Sequence, residues 1–173
     1  MLTIDLKQMI RSVPDFPKPG INFYDITTLL KDPQGLKATI DSLTVPYEAS
    51  GIDVVVGIES RGFILGSAVA QRIGAGFIPV RKAGKLPAKA IKEIYELEYG
   101  KDALEIHADA IEPGQRVLIV DDVLATGGTA AATTRLVKQL GGALQGLAFL
   151  IELTFLNGKS KLAGEQVYSV LQY

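Results

Sequence analysis

Arg116-Val117-Leu118-Ile119-Val120-Asp121-Asp122-Val123-Leu124-Ala125-Thr126-Gly127-Gly128-Thr129 is the stretch on which the reading of the fold turns. An apolar strand runs into two adjacent carboxylates. A turn carrying hydroxyls and glycines comes next, and then a helix in which Ala132, Leu136 and Leu140 recur every four residues as one apolar stripe. In that order these parts make an anion cradle. The N–H groups of Gly127, Gly128 and Thr129 point outward at a helix N-terminus, and the hydroxyls of Thr126 and Thr129 can donate to the same anion. Glycine permits positive φ and close approach of the ligand. Asp121 and Asp122 would repel a phosphate, so they are expected to face something else: sugar hydroxyls, or a magnesium ion reached through water or sugar oxygens. Together the two halves suit a ribose 5-phosphate. The plainer alternative is that the acids cap the helix and Thr-Gly-Gly is only a turn. The loop lacks the Gly-Lys-[Ser/Thr] of a nucleotide P-loop, and no G-x-G-x-x-G opens a first strand.

Working outward, strand-like and helix-like segments alternate. Residues 52–58 are β-branched and almost uniformly apolar, as in a strand covered on both faces. Phe63 to Ile73 reads as a helix punctuated by Gly74 and Gly76, and Phe77 to Val80 as a short strand. Pro113-Gly114 marks a turn before the strand at Arg116, Gly141-Gly142 ends the helix, and Leu144 to Leu153 is another buried strand. This order predicts an α/β layer fold with a largely parallel sheet flanked by helices, its ligand edge at the loops that follow the strands. Two pieces stand outside that pattern. Residues 1–50 are broken by Pro14, Pro17 and Pro19-Gly20 before a helical face of Leu36, Ile40 and Leu43, opened by Asp32-Pro33. Residues 82–106 run from a basic loop into an alternating hairpin arm at Ile94 to Tyr99, and Val167 to Leu171 suits an edge strand.

Composition narrows the function classes. The 173 residues carry 18 Lys+Arg against 19 Asp+Glu, a formal charge of -1, which lacks the basic excess expected of a nucleic-acid binder. With no Cys there is no disulfide scaffold, thiolate nucleophile or zinc–thiolate site, and a single histidine, His107, excludes a polyhistidine metal centre. His107, before the Pro-Gly turn, is expected at solvent. No apolar run is long enough to span a membrane, and the start lacks a basic, apolar leader, so the expectation is one cytoplasmic domain over 1–173.

Five segments resemble the type I phosphoribosyltransferases, and more narrowly those whose acceptor is adenine. They are Asp15 to Asp25, Gly57 to Phe63, Arg81 to Pro87, Leu97 to Gly100, and Val120 to Thr129. The resemblance runs over essentially the whole chain. It implies that fold, with a small hood in residues 1–50, a core at 51–173 and a flexible catalytic loop at about 82–98. The reaction it implies is adenine plus 5-phospho-α-D-ribose 1-diphosphate giving AMP plus diphosphate, with Mg2+ held mainly by substrate oxygens and water and indirect help from Asp121 and Asp122. By the same resemblance Ala125, Thr126, Gly127, Gly128 and Thr129 hold the 5-phosphate, while Asp121 and Asp122 take the ribose hydroxyls. Glu59, Ser60 and Arg61 meet the diphosphate, with the Glu59–Ser60 peptide bond often cis, and Arg81, Lys82 and Lys85 serve the leaving group. Phe23 stacks on the purine while main-chain groups of Asn22 and Tyr24 read its amino edge. Relatives often carry a basic residue where Tyr24 stands, and some have Asp at Glu59. A residue equivalent to Arg81 can come from the neighbouring subunit, which implies a homodimer.

The chemistry implied is loss of diphosphate from C1′ as N9 attacks through an oxocarbenium-like transition state. No covalent nucleophile is needed. Arg61 and Lys85 steady the leaving group, a guanidinium matching diphosphate oxygens bidentately. The resemblance makes Glu98 the carboxylate that handles the base proton and places Tyr99 beside it at the substrates. Two other readings stand against this one: a phosphoribosyltransferase for hypoxanthine, guanine or xanthine, and a non-catalytic ribose-phosphate-sensing regulator that binds RNA.

Overall fold

A computed structural model describes residues 4–96 and 100–173. These form two compact units, a smaller one ending at Ser42 and a larger one from Leu43 to Tyr173.

The smaller unit holds helix α1 (Leu6–Met9), strands β1 (Arg11–Pro14) and β2 (Asn22–Asp25), helix α2 (Thr27–Leu30) and most of helix α3 (Pro33–Thr44). The strands pair antiparallel, Arg11 opposite Asp25 and Pro14 opposite Asn22. Asp25 closes the hairpin twice: its carboxylate accepts from the Thr27 N–H at 2.9 Å and from Arg11 Nη2 at 2.6 Å. Hydrogen bonding from Thr27 and then from Arg11 pulls its pKa down to about 2. Asp32 caps α3 as the sequence suggests, accepting from the N–H groups of Gln34 and Gly35 with Pro33 at the first helical position.

In the larger unit β3 (Val54–Ile58) is followed by α4 (Arg61–Ile73), β4 (Gly76–Lys82), β5 (Ala90–Glu96), β6 (Lys101–His107), β7 (Arg116–Leu124), α5 (Gly128–Gln139), β8 (Ala143–Glu152) and β9 (Val167–Gln172). One seven-stranded sheet results, in the order β5-β6-β4-β3-β7-β8-β9. The five strands from β4 to β9 pair parallel, and the β5–β6 hairpin joins antiparallel at β4. All five residues of β3 and Val117 to Val120 of β7 are buried, which is why these runs lack an alternating pattern: helices or neighbouring elements cover both faces. Each such Val, Leu or Ile contributes about 1.5–3 kcal/mol by leaving water. On α4 the buried set Gly62, Leu65, Gly66, Val69 and Ala70 has helical spacing.

The register sets the site. Gly57 lies opposite Val120, so the chain leaving β3 after Ile58 emerges beside Asp121 and Asp122. The Glu59–Ser60 peptide at that exit is cis, as the resemblance implies. His107 departs from its expected place at solvent: it closes β6 half-buried, with Nε2 out of contact with water. No helix among the described residues is long and apolar enough to cross a membrane.

Candidate active site

β7 does not stop at its acids. It runs on to Leu124, so Asp121 and Asp122 are successive strand residues whose side chains leave on opposite faces. Asp121 packs under the start of α4. A Cβ at Gly62 would stand 2.8 Å from Asp121 Oδ1, so only glycine leaves room for that carboxylate. Burial and the neighbouring charge of Asp122 push the Asp121 pKa well above the usual carboxylate range. Asp122 is an ion-pair partner instead, its Oδ2 accepting from Arg61 Nε. The adjacent acids therefore hold different electrostatic positions: burial and a like charge work against ionisation of one, and the other is matched to a guanidinium.

Beyond Leu124 the chain makes the turn that opens α5. Gly127 is its N-cap, with φ 78° and ψ -1°, a left-handed conformation that disfavours any residue with a Cβ. The turn is also pressed against a second one. A Cβ on Gly127 would meet the Gly158 carbonyl oxygen at 2.3 Å, and a Cβ on Gly158 would meet the Ala125 carbonyl oxygen at 2.2 Å. The pair locks the cradle by backbone contact alone. Gly158 was not singled out from the sequence, although Asn157-Gly158 after a strand is an ordinary turn signal. Asp121, Val123 to Ala130 and Phe149 line a small cavity here. Its floor carries the first N–H groups of a twelve-residue helix, which have no intrahelical acceptor.

A second cavity adjoins it, lined by Glu59, Ser60, Arg61, Lys82, Lys85, Asp121, Asp122, Val123 and Thr129. Its cations are engaged. Glu59 takes the Lys82 N–H at 3.1 Å, Arg81 Nε at 3.3 Å and the Lys85 ammonium, and Arg81 Nη1 also donates to the Lys85 carbonyl at 3.1 Å. Burial pushes the Glu59 pKa up, but the hydrogen bonds from Lys85 and Lys82 and the charges of Lys85 and Arg81 outweigh it and hold the carboxyl below its usual range.

Asn22, Phe23 and Tyr24 occupy β2 in the smaller unit. Ser12 Oγ donates to Asn22 Oδ1 at 2.7 Å, and Phe16 meets Phe23 edge-on with centroids 5.3 Å apart. The expected roles of Glu98 and Tyr99 fall outside the described residues. Thus Glu59, Ser60, Arg61, Lys82, Lys85, Asp121, Asp122 and the 125–129 turn come together in one unit, with Arg81 joined to them through Glu59.

The chain matches the phosphoribosyl transferase domain family over residues 27–168. It is 61% identical to an adenine phosphoribosyltransferase of Koribacter versatilis over 97% of this chain and 92% of that one. The chain belongs to the adenine phosphoribosyltransferase family. The crystal structure of the adenine phosphoribosyltransferase from Rhodothermus marinus superposes with a TM-score of 0.93 at 58% identity, covering 97% of this chain and 96% of that one. The Saccharomyces cerevisiae enzyme, solved with an imino-altritol bisphosphate and adenine, gives 0.92 at 44% identity, over 96% of each chain. Within the adenine phosphoribosyltransferase family the fold expected from the sequence, a largely parallel sheet flanked by helices, is the fold observed.

Proposed function

We propose that the family's reaction, adenine plus 5-phospho-α-D-ribose 1-diphosphate giving AMP plus diphosphate, runs in this chain across the two adjoining cavities of the larger unit. The observation that carries this is the Ala125–Thr129 turn at the head of α5, placed beside two acids of β7 and beside the Glu59–Arg61 exit of β3. The turn receives the sugar's terminal phosphate on its N–H groups and on the Thr126 and Thr129 hydroxyls. Asp122, and Asp121 through its remaining lone pairs, accept from the ribose hydroxyls. Arg61, Lys82 and Lys85 then face the diphosphate, with Arg81 behind Glu59.

Those cations are already paired, so the incoming diphosphate must take over hydrogen bonds that Glu59 and Asp122 now hold. The exchange replaces one anion by another at each cation, so no cation is left unmatched. In the chemical step the C1′–O bond breaks and its electron pair leaves on the diphosphate oxygen, while N9 of adenine forms the new bond to C1′. Arg61 and Lys85 stabilise the charge that grows on the leaving oxygen, as preorganised donors should. Glu98 takes the N9 proton, and Phe23 stacks on the base while Asn22 and Tyr24 read its amino edge through their main chains.

The resemblance implies a divalent cation, magnesium. Among the described residues no cluster of three acids or imidazoles can hold a metal, and of the two carboxylates at hand Asp122 is buried and paired with Arg61 while Asp121 is disfavoured as an anion. That donor set fits a cation carried in on the substrate's own oxygens, with Asp122 and Asp121 touching its water shell. Such a cation supplies charge neutralisation on the diphosphate. The enzyme is proposed to work as a homodimer; sedimentation at micromolar concentration checks this, and a monomer that retains full activity would remove it.

Base competition tests the acceptor. With 5-phospho-α-D-ribose 1-diphosphate and equal adenine, hypoxanthine and guanine, AMP should be the dominant product. Turnover of hypoxanthine or guanine without adenine would overturn the assignment.

A further inference from the structure

Tyr95 has no part in the scheme above, yet it is one of the few buried aromatic residues among the described residues of the larger unit, with 8% of its surface exposed. It lies on β5, directly opposite Asp102 on β6. Its phenol donates to Asp102 Oδ2 at 3.3 Å, and the hydroxyl of Thr129 is the other polar group that acts on the same phenol oxygen. Asp102 in turn meets Lys82 Nζ at 3.5 Å and accepts from the Ala103 N–H at 2.8 Å. The hairpin also presses on the head of α5. A Cβ at Gly128 would come within 3.3 Å of the Tyr95 ring and 3.4 Å of the Glu96 carbonyl oxygen. Four side chains, Thr129, Tyr95, Asp102 and Lys82, thus stand in sequence from the 125–129 turn to a cation of the neighbouring cavity, with Tyr95–Asp102 and Asp102–Lys82 already joined.

We propose that Tyr95 and Asp102 are positioning residues that couple the seat of the sugar's phosphate at Thr129 to the placement of Lys82 on the diphosphate side. The proposal rests on the reading of the Ala125–Thr129 turn as that seat. Its basis is proton counting. A threonine hydroxyl has one proton and two lone pairs, and a phenol has one proton. When Thr129 donates to a phosphate it needs no second acceptor, but it can accept from Tyr95. Tyr95 then withdraws its proton from Asp102, and Asp102 is left to Lys82 and the Ala103 N–H. Filling the turn therefore fixes the direction of each bond in the path and leaves Asp102 as a full partner of the ammonium at the wall of the neighbouring cavity. Burial raises the Tyr95 pKa, so the phenol keeps the proton this role requires.

The test is a double-mutant cycle read in steady-state kinetics with both substrates varied. Tyr95→Phe keeps the ring and deletes the hydroxyl. It should raise KM for 5-phospho-α-D-ribose 1-diphosphate by about five- to tenfold, the worth of one neutral hydrogen bond, and leave KM for adenine within about twofold. In a Thr129→Val background the same change should have no further effect. Asp102→Asn, at a half-buried position, should move the same KM in the same direction and keeps the test open should the buried substitution fail to fold. A full, additive Tyr95→Phe effect in the Thr129→Val background would overturn the coupling, as would equal rises in both KM values or an unchanged diphosphate-substrate KM. If Thr129→Val alone leaves that KM unchanged, the reading of the turn itself fails; if Thr129→Val raises it and Tyr95→Phe does not, only the coupling fails.

Discussion

The Ala125–Thr129 turn and the cavity beside it, lined by Glu59, Arg61, Lys82 and Lys85, are built in opposite ways. The turn is made of backbone: a left-handed Gly127, a helix start and a glycine-to-glycine contact with Gly158. The cavity is made of side-chain charges, and each of Arg61, Arg81 and Lys85 already has an acidic partner. A backbone seat needs no reorganisation to bind its anion, whereas a charged seat must exchange one anion for another. The difference suits the two ends of the substrate. The sugar's terminal phosphate stays in place through the reaction, while the diphosphate arrives, changes charge and leaves. In the proposed scheme a fixed site serves the first and an exchangeable site the second.

The comparison breaks most visibly at Gly127. Gly127→Ala forces a Cβ into left-handed backbone and against the Gly158 carbonyl, at a combined cost of about 2–5 kcal/mol. Thermal unfolding should move down accordingly, and activity should fall by at least two orders of magnitude. A wild-type melting curve would contradict the backbone account. On the charged side, Lys85→Ala should fold normally and lose about 10²-fold in kcat, the scale expected when one donor to a developing oxyanion is removed. An unchanged kcat would remove Lys85 from the leaving-group site.

Glu59→Gln sharpens the contrast further. The volume is kept and the charge lost, so Lys85 and Arg81 are held less firmly before substrate binds. Product inhibition by diphosphate should tighten by about two- to fivefold, the scale of a partly exposed ion pair. Weaker inhibition would mean that Glu59 helps hold the diphosphate directly rather than competing with it.

The smallest expected effect is acid destabilisation outside the site. Asp53 accepts from the Arg116 N–H and from its guanidinium, and these bonds lower its pKa to about 2, as Thr27 and Arg11 do for Asp25. For a carboxyl depressed on folding, the stabilisation is complete above the unfolded pKa and is lost as pH falls through the folded one. The melting temperature should therefore be flat above about pH 5 and decline between about pH 4 and 2. Asp53→Asn should shallow that decline, and an identical acid limb would exclude the pair as a contributor.

Much of the larger unit was legible because its signals are local. The apolar runs that become β3, β7 and β8 are buried on both faces, and the glycine–hydroxyl turn needs only five consecutive residues. What escaped depends on distance along the chain. The strand β7 outlasts Asp122 by two residues, which separates the surroundings of two acids that look equivalent in sequence. Gly158 supports Gly127 from thirty-one positions away. Tyr95 reads as one more residue of an alternating arm until the fold brings Thr129 to its hydroxyl. Likewise the β1–β2 hairpin is short, largely exposed and rich in proline, so it leaves no apolar period to find.

A structure of the protein with AMP bound tests the central claim most directly. The account predicts the 5′-phosphate against the main-chain N–H groups of Gly127, Gly128 and Thr129, with the ribose hydroxyls facing Asp121 and Asp122. A phosphate bound instead among Arg61, Lys82 and Lys85, with the turn left to water, would contradict it.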